Sequence, residues 1–401
     1  MKLRRNKYYV LIELSGVPYL LPYGQAQLEF KRAVRLNETG AFLWKLLERE
    51  HSSEDLLAAC ADFYGTPEKD LPSLMADIAQ FLESLISRGC LIENTTKKIP
   101  KNAVKKHINA GSLTLKLVGS PEALSHNFDS FLCEPSENVD QTLTIYPFSS
   151  SPYINGELLL QGSVLKIIDA GDRYALFFPS HKYIKEVHLS KDGSLADFYC
   201  RPPYTDDFRD ELFHTIRFAF LFLAQRRHMA ALHSASFLYQ GKAWLFSGPS
   251  GTGKSTHTNL WKELLQVPLL NGDLNLLAFE DDRPVIHGLP WCGTSQICDP
   301  GTYPLGGIIL LKQASEDHVE ELSPDTKRLL VLQRIISPTW TPQMFNSNLD
   351  LVDELASKIY IARLHCTKEF SAVKVMKAGI DSYLSTHNYT EASESGKLEQ
   401  L

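Results

Sequence analysis

Residues 248–255 read Gly-Pro-Ser-Gly-Thr-Gly-Lys-Ser, a full match to the pattern G-x-x-x-x-G-K-S. That pattern cradles phosphate: a glycine-rich turn aims several backbone N–H groups at one spot, and the helix that follows adds the positive end of its dipole. The cradle runs through Gly248, Pro249, Ser250, Gly251, Thr252, Gly253, Lys254, Ser255 and Thr256. Lys254 is expected to reach the β- and γ-phosphates of a nucleoside triphosphate, and Ser255 to offer its hydroxyl to Mg²⁺. Phosphoryl transfer also needs a second metal ligand and a group that positions or deprotonates the acceptor. Asp273 closes the first apolar stretch after the cradle and is expected to fill the metal role. His233 lies 21 positions before Lys254 in an otherwise apolar run and is the candidate partner in catalysis. Its alternative is a histidine satisfied within the core.

These residues need particular elements to hold them. Lys242 to Ser247 reads as a short buried strand entering the cradle, and Thr256 to Leu265 as the helix leaving it, with Leu260, Trp261, Leu264 and Leu265 along one side. A turn at Gln240-Gly241 separates His233's strand from the cradle strand. Further on, the pattern predicts a hairpin at 281–284, an apolar strand from Leu305 to Leu311, a helix capped at Ser323, a strand from Ile359 to Leu364, and a last helix begun at Thr367. A helix from Asp206 to Met229 precedes the cradle. The polar tail 386–401 is expected to be flexible.

Upstream, residues 1–95 read as a small α+β unit. Strands are predicted at Tyr8 to Leu14, Pro18 to Tyr23 and Gln27 to Leu36. Helices follow, capped at Asn37 and at Ser52, with a third from Leu74 to Arg88 that stops at Gly89. A lysine-rich linker, 96–107, leads to a β-rich stretch, 108–204. Within it, strands are expected at Leu113 to Val118, Leu143 to Phe148, Leu158 to Ile168 and Tyr174 to Phe178, with a hairpin around Lys191-Asp192-Gly193. The cradle lies in the remaining part, 205–385.

The strings Leu-Asn-Glu-Thr-Gly-Ala-Phe-Leu-Trp-Lys-Leu-Leu from Leu36, Glu54-Asp55-Leu56-Leu57, and Asp77-Ile78 through Phe81-Leu82 and Leu85 to Gly89 resemble the PqqD family of peptide-chaperone domains. The resemblance implies a winged-helix module that holds the leader of a ribosomally made precursor peptide. The leader would add as a strand beside the segment between Gln27 and Arg35, packed on the helix between Leu74 and Arg88. His233, the cradle and Asn-Gly-Asp273, in that order and spacing, resemble the HPr kinase family. So do 288–295 (Gly-Leu-Pro-Trp-Cys-Gly-Thr-Ser) and Leu364-His-Cys366, the former looking like a substrate-side loop. That family phosphorylates serine on proteins and peptides, and its fold is similar to that of phosphoenolpyruvate carboxykinase. Where HPr kinases carry a double aspartate, this chain has Gly272-Asp273, and the later loop used for the reverse reaction is not found.

The expected architecture is therefore an α/β P-loop kinase domain of the HPr kinase type, preceded by a small α+β winged-helix PqqD-like domain and a β-rich middle segment. With 401 residues, 44% of them hydrophobic, the chain has ample core material for more than one domain. A net charge of −6 and a pI of about 6.1 give no nucleic-acid footprint. Seven scattered cysteines without a Cys-x-x-Cys pair suggest a reducing, cytoplasmic setting and no zinc frame. No apolar run approaches the roughly 18–20 residues that span a bilayer, and no signal peptide is visible. The expected ligands are ATP and Mg²⁺, the expected partner a precursor peptide, and homo-oligomer formation is compatible with the sequence. Three functions fit: a kinase for a Ser or Thr hydroxyl of that peptide, a peptide chaperone that binds or hydrolyses ATP without kinase activity, and a kinase for a small metabolite.

Overall fold

The computed structural model describes residues 2–23, 33–94, 99–147, 154 and 156–398; for residues 2, 87, 92–94, 294 and 387–398 it describes the backbone alone. In the N-terminal unit, Lys2–Arg5 pairs with His51–Ser52 and Leu91–Asn94, while Tyr9–Leu14, Val17–Pro22 and Val34–Arg35 form a second small sheet. Helices Glu38–Leu46, Ser53–Tyr64 and Leu71–Ser87 follow the first strands. Local chemistry sets their starts: the Asn37 side chain accepts from the Gly40 amide at 2.7 Å, and Ser52 and Asp55 close a reciprocal capping box. Trp44, Leu43, Leu56, Ile78 and Leu82 are buried together in a core that this unit keeps to itself. Each such side chain contributes about 1.5–3 kcal/mol when removed from water.

The rest of the chain is built on two eight-stranded sheets. The first runs, in spatial order, Glu157–Gln161, Lys166–Asp169, Arg173–Phe177, Ile184–Ser190, Leu195–Cys200, Gln141–Pro147, Leu113–Gly119 and Val104–Ala110. Only Gln141–Pro147 runs parallel to its neighbours. The second sheet has Lys242–Ser247, Ala230–Tyr239, Leu274–Glu280, Arg283–Gly288, Thr302–Gln313, Tyr360–Cys366 and His318–Glu320 in line, with Leu269–Asn271 paired to Ala230–Tyr239. Lys242–Ser247 also pairs in parallel with Thr302–Gln313, so five of these strands close on themselves. The helix Asp206–Arg226 buries its apolar face in a core drawn from both sheets, which joins Leu115 and Phe198 to Leu276 and Trp291. The β-rich stretch and the P-loop region therefore share one interior.

Several sequence expectations are corrected. Leu158 to Ile168 is not one strand but a hairpin, Glu157–Gln161 against Lys166–Asp169, turning at Gly162. The lysine-rich linker is shorter than 96–107, because Lys105, Lys106 and His107 already pair with Leu113–Gly119. The helix expected to reach Met229 stops at Arg226, ahead of His228 at φ 57°. The third N-terminal helix starts earlier, at Leu71, with Pro72 in its first turn. The last helix, Phe370–Leu398, continues beyond Thr386 into the stretch expected to be a flexible tail. Pro342–Lys358 is a helix that the sequence reading left out, although Thr341 accepts from the Met344 amide at its start. Of the expected strand between Gln27 and Leu36, residues 27–32 lie outside the described residues.

Candidate functional site

Three neighbouring strands bring the predicted site residues to one end of the second sheet. Ser234 lies opposite Ser247, the last residue of the strand that enters the cradle, and His233 lies opposite Leu274. Gly248, His233 and Asp273 thus sit side by side, although 40 positions separate the last two in sequence. One backbone and one side-chain hydrogen bond fix the arrangement: the Ser234 amide donates to the Asp273 carbonyl at 3.0 Å, and the Ser247 hydroxyl donates to the His233 carbonyl at 2.8 Å.

The cradle connects Lys242–Ser247 to the helix Lys254–Leu265. Gly251 and Gly253 have φ of 79° and 103°, a region that side-chain-bearing residues rarely enter. Pro249 accepts from both the amide and the hydroxyl of Thr252, and the Gln313 side chain holds the Gly251 carbonyl at 3.1 Å, so the loop is braced from outside. The helix begins at Gly253 with no side-chain cap and no acidic residue in its first turn. Its leading N–H groups and positive dipole end are thus left for an anion. The Lys254 ammonium folds over the loop to the Gly248 carbonyl at 3.4 Å. Burial pushes the Lys254 pKa down, partly offset by the Asp273 carboxylate.

Ser250, Gly251, Gly253, Lys254, Ser255 and Thr256 line a cleft of about 330 Å³, with His233, Gly272, Asp273 and Ser295 on its other sides. His233 Nδ1 approaches Asp273 Oδ1 at 3.2 Å, and both side chains are about one-third exposed. That contact holds the Asp273 carboxyl below its usual range, and the nearby positive charges of Arg217 and Lys254 act the same way against burial. Asp273 is in turn seated by Asn271, whose side-chain oxygen accepts from the amides of Asp273 and Leu274 at 3.0 and 3.1 Å. The Asn271 amide group donates to the Leu289 carbonyl at 2.9 Å, tying the carboxylate to the loop that closes the cleft. These features fit a nucleotide with a divalent cation. The loop leaves backbone donors and one ammonium for phosphate oxygens, and one hydroxyl and one carboxylate share the cleft as hard oxygen ligands.

Ser295, the end of the 288–295 string likened above to a substrate-side loop, lines the cleft and donates to the Cys292 carbonyl at 2.8 Å. Sequence reasoning missed three other residues here. Asn271 was read only as part of the approach to Asp273. Arg334 has its carbonyl bonded by the His233 amide and its positive charge within range of Lys254. Arg217 stands 56 positions before Asp273 on a different element, and only the tertiary fold could have pointed to it. Trp291 is fully buried against Phe213 and Phe220, a packing role that leaves no room for direct contact with a substrate. Cys292 and Cys298 are adjacent, and burial pushes the Cys292 thiol up to about 12. Among the described residues, no group of three or more metal-type ligands surrounds them.

The fold and the cleft define a mixed α/β protein whose large sheet-rich C-terminal region carries a glycine-rich loop beside a His–Asp pair. At the other end of the chain, residues 18–91 match the family model for coenzyme PQQ synthesis protein D (PqqD), so a small PqqD domain stands at the N-terminus. No curated protein matches the chain. Among solved structures, the HPr(Ser) kinase/phosphatase from Coxiella burnetii aligns at 11% identity and a TM-score of 0.24, covering 39% of this chain and 98% of that one. So distant a likeness leaves the argument about the cleft to the residues themselves. No helix among the described residues is long and apolar enough to cross a membrane.

Proposed function

We propose that this chain is an ATP-dependent kinase for a Ser or Thr hydroxyl of a ribosomally made precursor peptide, with the PqqD domain holding that peptide's leader. The observation that carries the reading is the meeting, in one cleft, of an uncapped helix N-terminus, Lys254 and the His233–Asp273 pair. In this reading the loop amides and Lys254 bind the β- and γ-phosphates, and Ser255 and Asp273 hold Mg²⁺. Bound Mg²⁺ would neutralise charge on the phosphate oxygens. Asp273 orients the acceptor hydroxyl and takes its proton, while His233 fixes the carboxylate. The oxygen–phosphorus bond to the acceptor forms as the γ-phosphoryl group leaves ADP. Gly272 means that one acid serves both metal and acceptor. The PqqD domain raises the local concentration of a weakly held acceptor segment by tethering its leader, without touching the chemical barrier.

The test uses the full chain, Mg-ATP and ribosomally made precursor peptides, each with and without its leader. The expected result is one added phosphoryl group on a Ser or Thr, located by mass spectrometry. The leaderless peptide should show a strongly raised KM and a similar kcat. Release of ADP with no modified peptide would favour the ATPase reading. Transfer only to small hydroxylated metabolites would favour the metabolite kinase.

A further inference from the structure

Ser295 meets the cleft from the side that faces the cradle. Among the described lining residues, Ser250, Ser255 and Thr256 carry hydroxyls of the cradle and its helix, whereas Ser295 supplies the hydroxyl on the wall that holds Asp273. The short turn Gly293–Ser295 puts it there. Gly293, at φ 63°, packs on the carboxylate: an added Cβ would stand 2.9 Å from the Asp273 Cβ, 3.1 Å from its Cγ and 3.5 Å from Oδ2. Two residues on, the Ser295 hydroxyl lies 1.8 Å from the place a Cβ on Gly272 would take, against the residue that precedes Asp273. Gln296 then turns the chain away at φ 55°.

The turn is anchored at both ends, so the placement is built into the fold. On the entry side, Trp291 is buried and its indole N–H donates to the Phe213 carbonyl at 2.9 Å. On the exit side, the Gly272 amide donates to the Ile297 carbonyl at 3.2 Å, and Cys298 bridges to Asn271. Between these anchors the Ser295 hydroxyl donates to the Cys292 carbonyl at 2.8 Å and accepts from the Ile297 amide at 3.2 Å. Both partners belong to the loop itself, and the residue is only half-buried. A change of side-chain rotamer therefore frees the hydroxyl without moving either anchor.

Resting on the kinase reading of the cleft, we infer that Ser295 is a phosphoryl acceptor within this chain, modified by the chain's own cleft. The Ser295 oxygen forms a bond to the γ-phosphorus of ATP as the bond from that phosphorus to the departing ADP oxygen breaks. The hydroxyl proton passes to the Asp273 carboxylate. A hydroxyl tethered beside the reacting groups acts at an effective concentration far above that of a free peptide, so the step needs no second molecule of protein.

The experiment uses the full chain, stripped of phosphate by a phosphatase and then given Mg-ATP with no peptide. Peptide mapping by mass spectrometry should find one phosphoryl group on Ser295, added at a rate constant that does not change with protein concentration. Ser295→Ala and Lys254→Ala should both lack the mark, while Ser295→Thr keeps an acceptor and should keep the mark. A second readout needs no turnover. In Ser295→Cys, alkylation of position 295 by iodoacetamide should slow about tenfold with a non-hydrolysable imido analogue of Mg-ATP at about ten times its dissociation constant. Mg-ADP, which lacks the γ-phosphate, should protect far less. Three results would overturn the assignment and leave the kinase reading standing: phosphorylation of an added peptide with no mark at Ser295, a mark on another residue instead, or alkylation that the analogue does not slow. A mark on Ser295 that survives Lys254→Ala would overturn it too, since a foreign kinase would then be its source. Protection by the analogue with no phosphate on the chain or on any peptide would overturn both readings.

Discussion

Replacing Asn271 with alanine tests how the cleft is held together. The Asn271 side chain is 1% exposed and makes three hydrogen bonds, two received from the amides of Asp273 and Leu274 and one given to the Leu289 carbonyl. Truncation removes all three and fills the space with nothing polar. Leu274 and Leu289 are fully buried, so their groups lose partners that water does not replace, while the Asp273 amide borders the cleft and can be rehydrated. At about 1–3 kcal/mol for each of the two stranded groups, the loss comes to about 2–6 kcal/mol. In a unit of this size that lowers Tm by roughly 4–24 °C. Without its two anchoring bonds the Asp273 backbone shifts, and a displacement of about 1 Å costs on the order of a hundredfold in kcat. The KM for nucleotide, set by the cradle, should move much less. Asn271→Asp is the informative companion. It keeps both acceptor positions, loses the bond to Leu289 and adds a negative charge beside Asp273, which raises the Asp273 pKa and shifts the acid limb of the rate profile upward. Scanning calorimetry with steady-state ADP release reads both effects. An Asn271→Ala protein that melts with the wild type and turns over at the same rate would refute the reasoning.

Three further perturbations probe separate parts of the molecule. Lys254→Ala should abolish phosphoryl transfer while leaving Tm unchanged or slightly higher, because burial already disfavours its charge; wild-type kinetics in this variant would remove the cradle from the mechanism. His233→Ala should lower turnover by roughly tenfold to a hundredfold through loss of its contact with Asp273. A variant that only melts earlier, at full specific activity, would return His233 to the core. Glu186 is fully buried and bonded to His188, with one carboxylate oxygen lacking a partner, and burial holds its carboxyl above the usual range. A group raised in this way contributes stability below its unfolded pKa and loses it as pH rises through the folded value. The melting temperature of the wild type should therefore fall as pH rises above the ordinary glutamate range of about 4.3–4.5, and Glu186→Gln should flatten that slope. Parallel pH curves for the two proteins would contradict it.

Local chemistry was the part of this molecule open to reading from the chain alone. The glycines of the cradle, the caps at Asn37, Ser52 and Ser323, and the two-residue turn at Asp281-Asp282, both at positive φ, each depend on neighbours within a few positions. The pairing of His233 with Asp273 was suggested only by likeness to a known order of motifs, since nothing local joins positions 40 residues apart. Arg217 and Arg334 carried no local signal at all, whereas Ser295 ends the 288–295 string that the sequence likened to a substrate-side loop. Only long-range pairing, such as that of the His233 amide with the Arg334 carbonyl, brings these elements together. The middle stretch was misread at Leu158 to Ile168 because an apolar run spans a tight turn, and hydropathy alone does not register a reversal of direction.

Gly272 sits with its Cα pressed against the closing loop, and a Cβ built there would lie 1.8 Å from the Ser295 hydroxyl and 3.2 Å from the Cys292 carbonyl. No side chain fits while the loop keeps its present path. A second aspartate ahead of Asp273 and a loop folded down through Ser295 are therefore alternatives that cannot coexist in one molecule. A side chain at 272 would require a different residue at 295 or a shifted 292–298 segment. Positions 272 and 295 should consequently change together, as a linked pair of inherited characters.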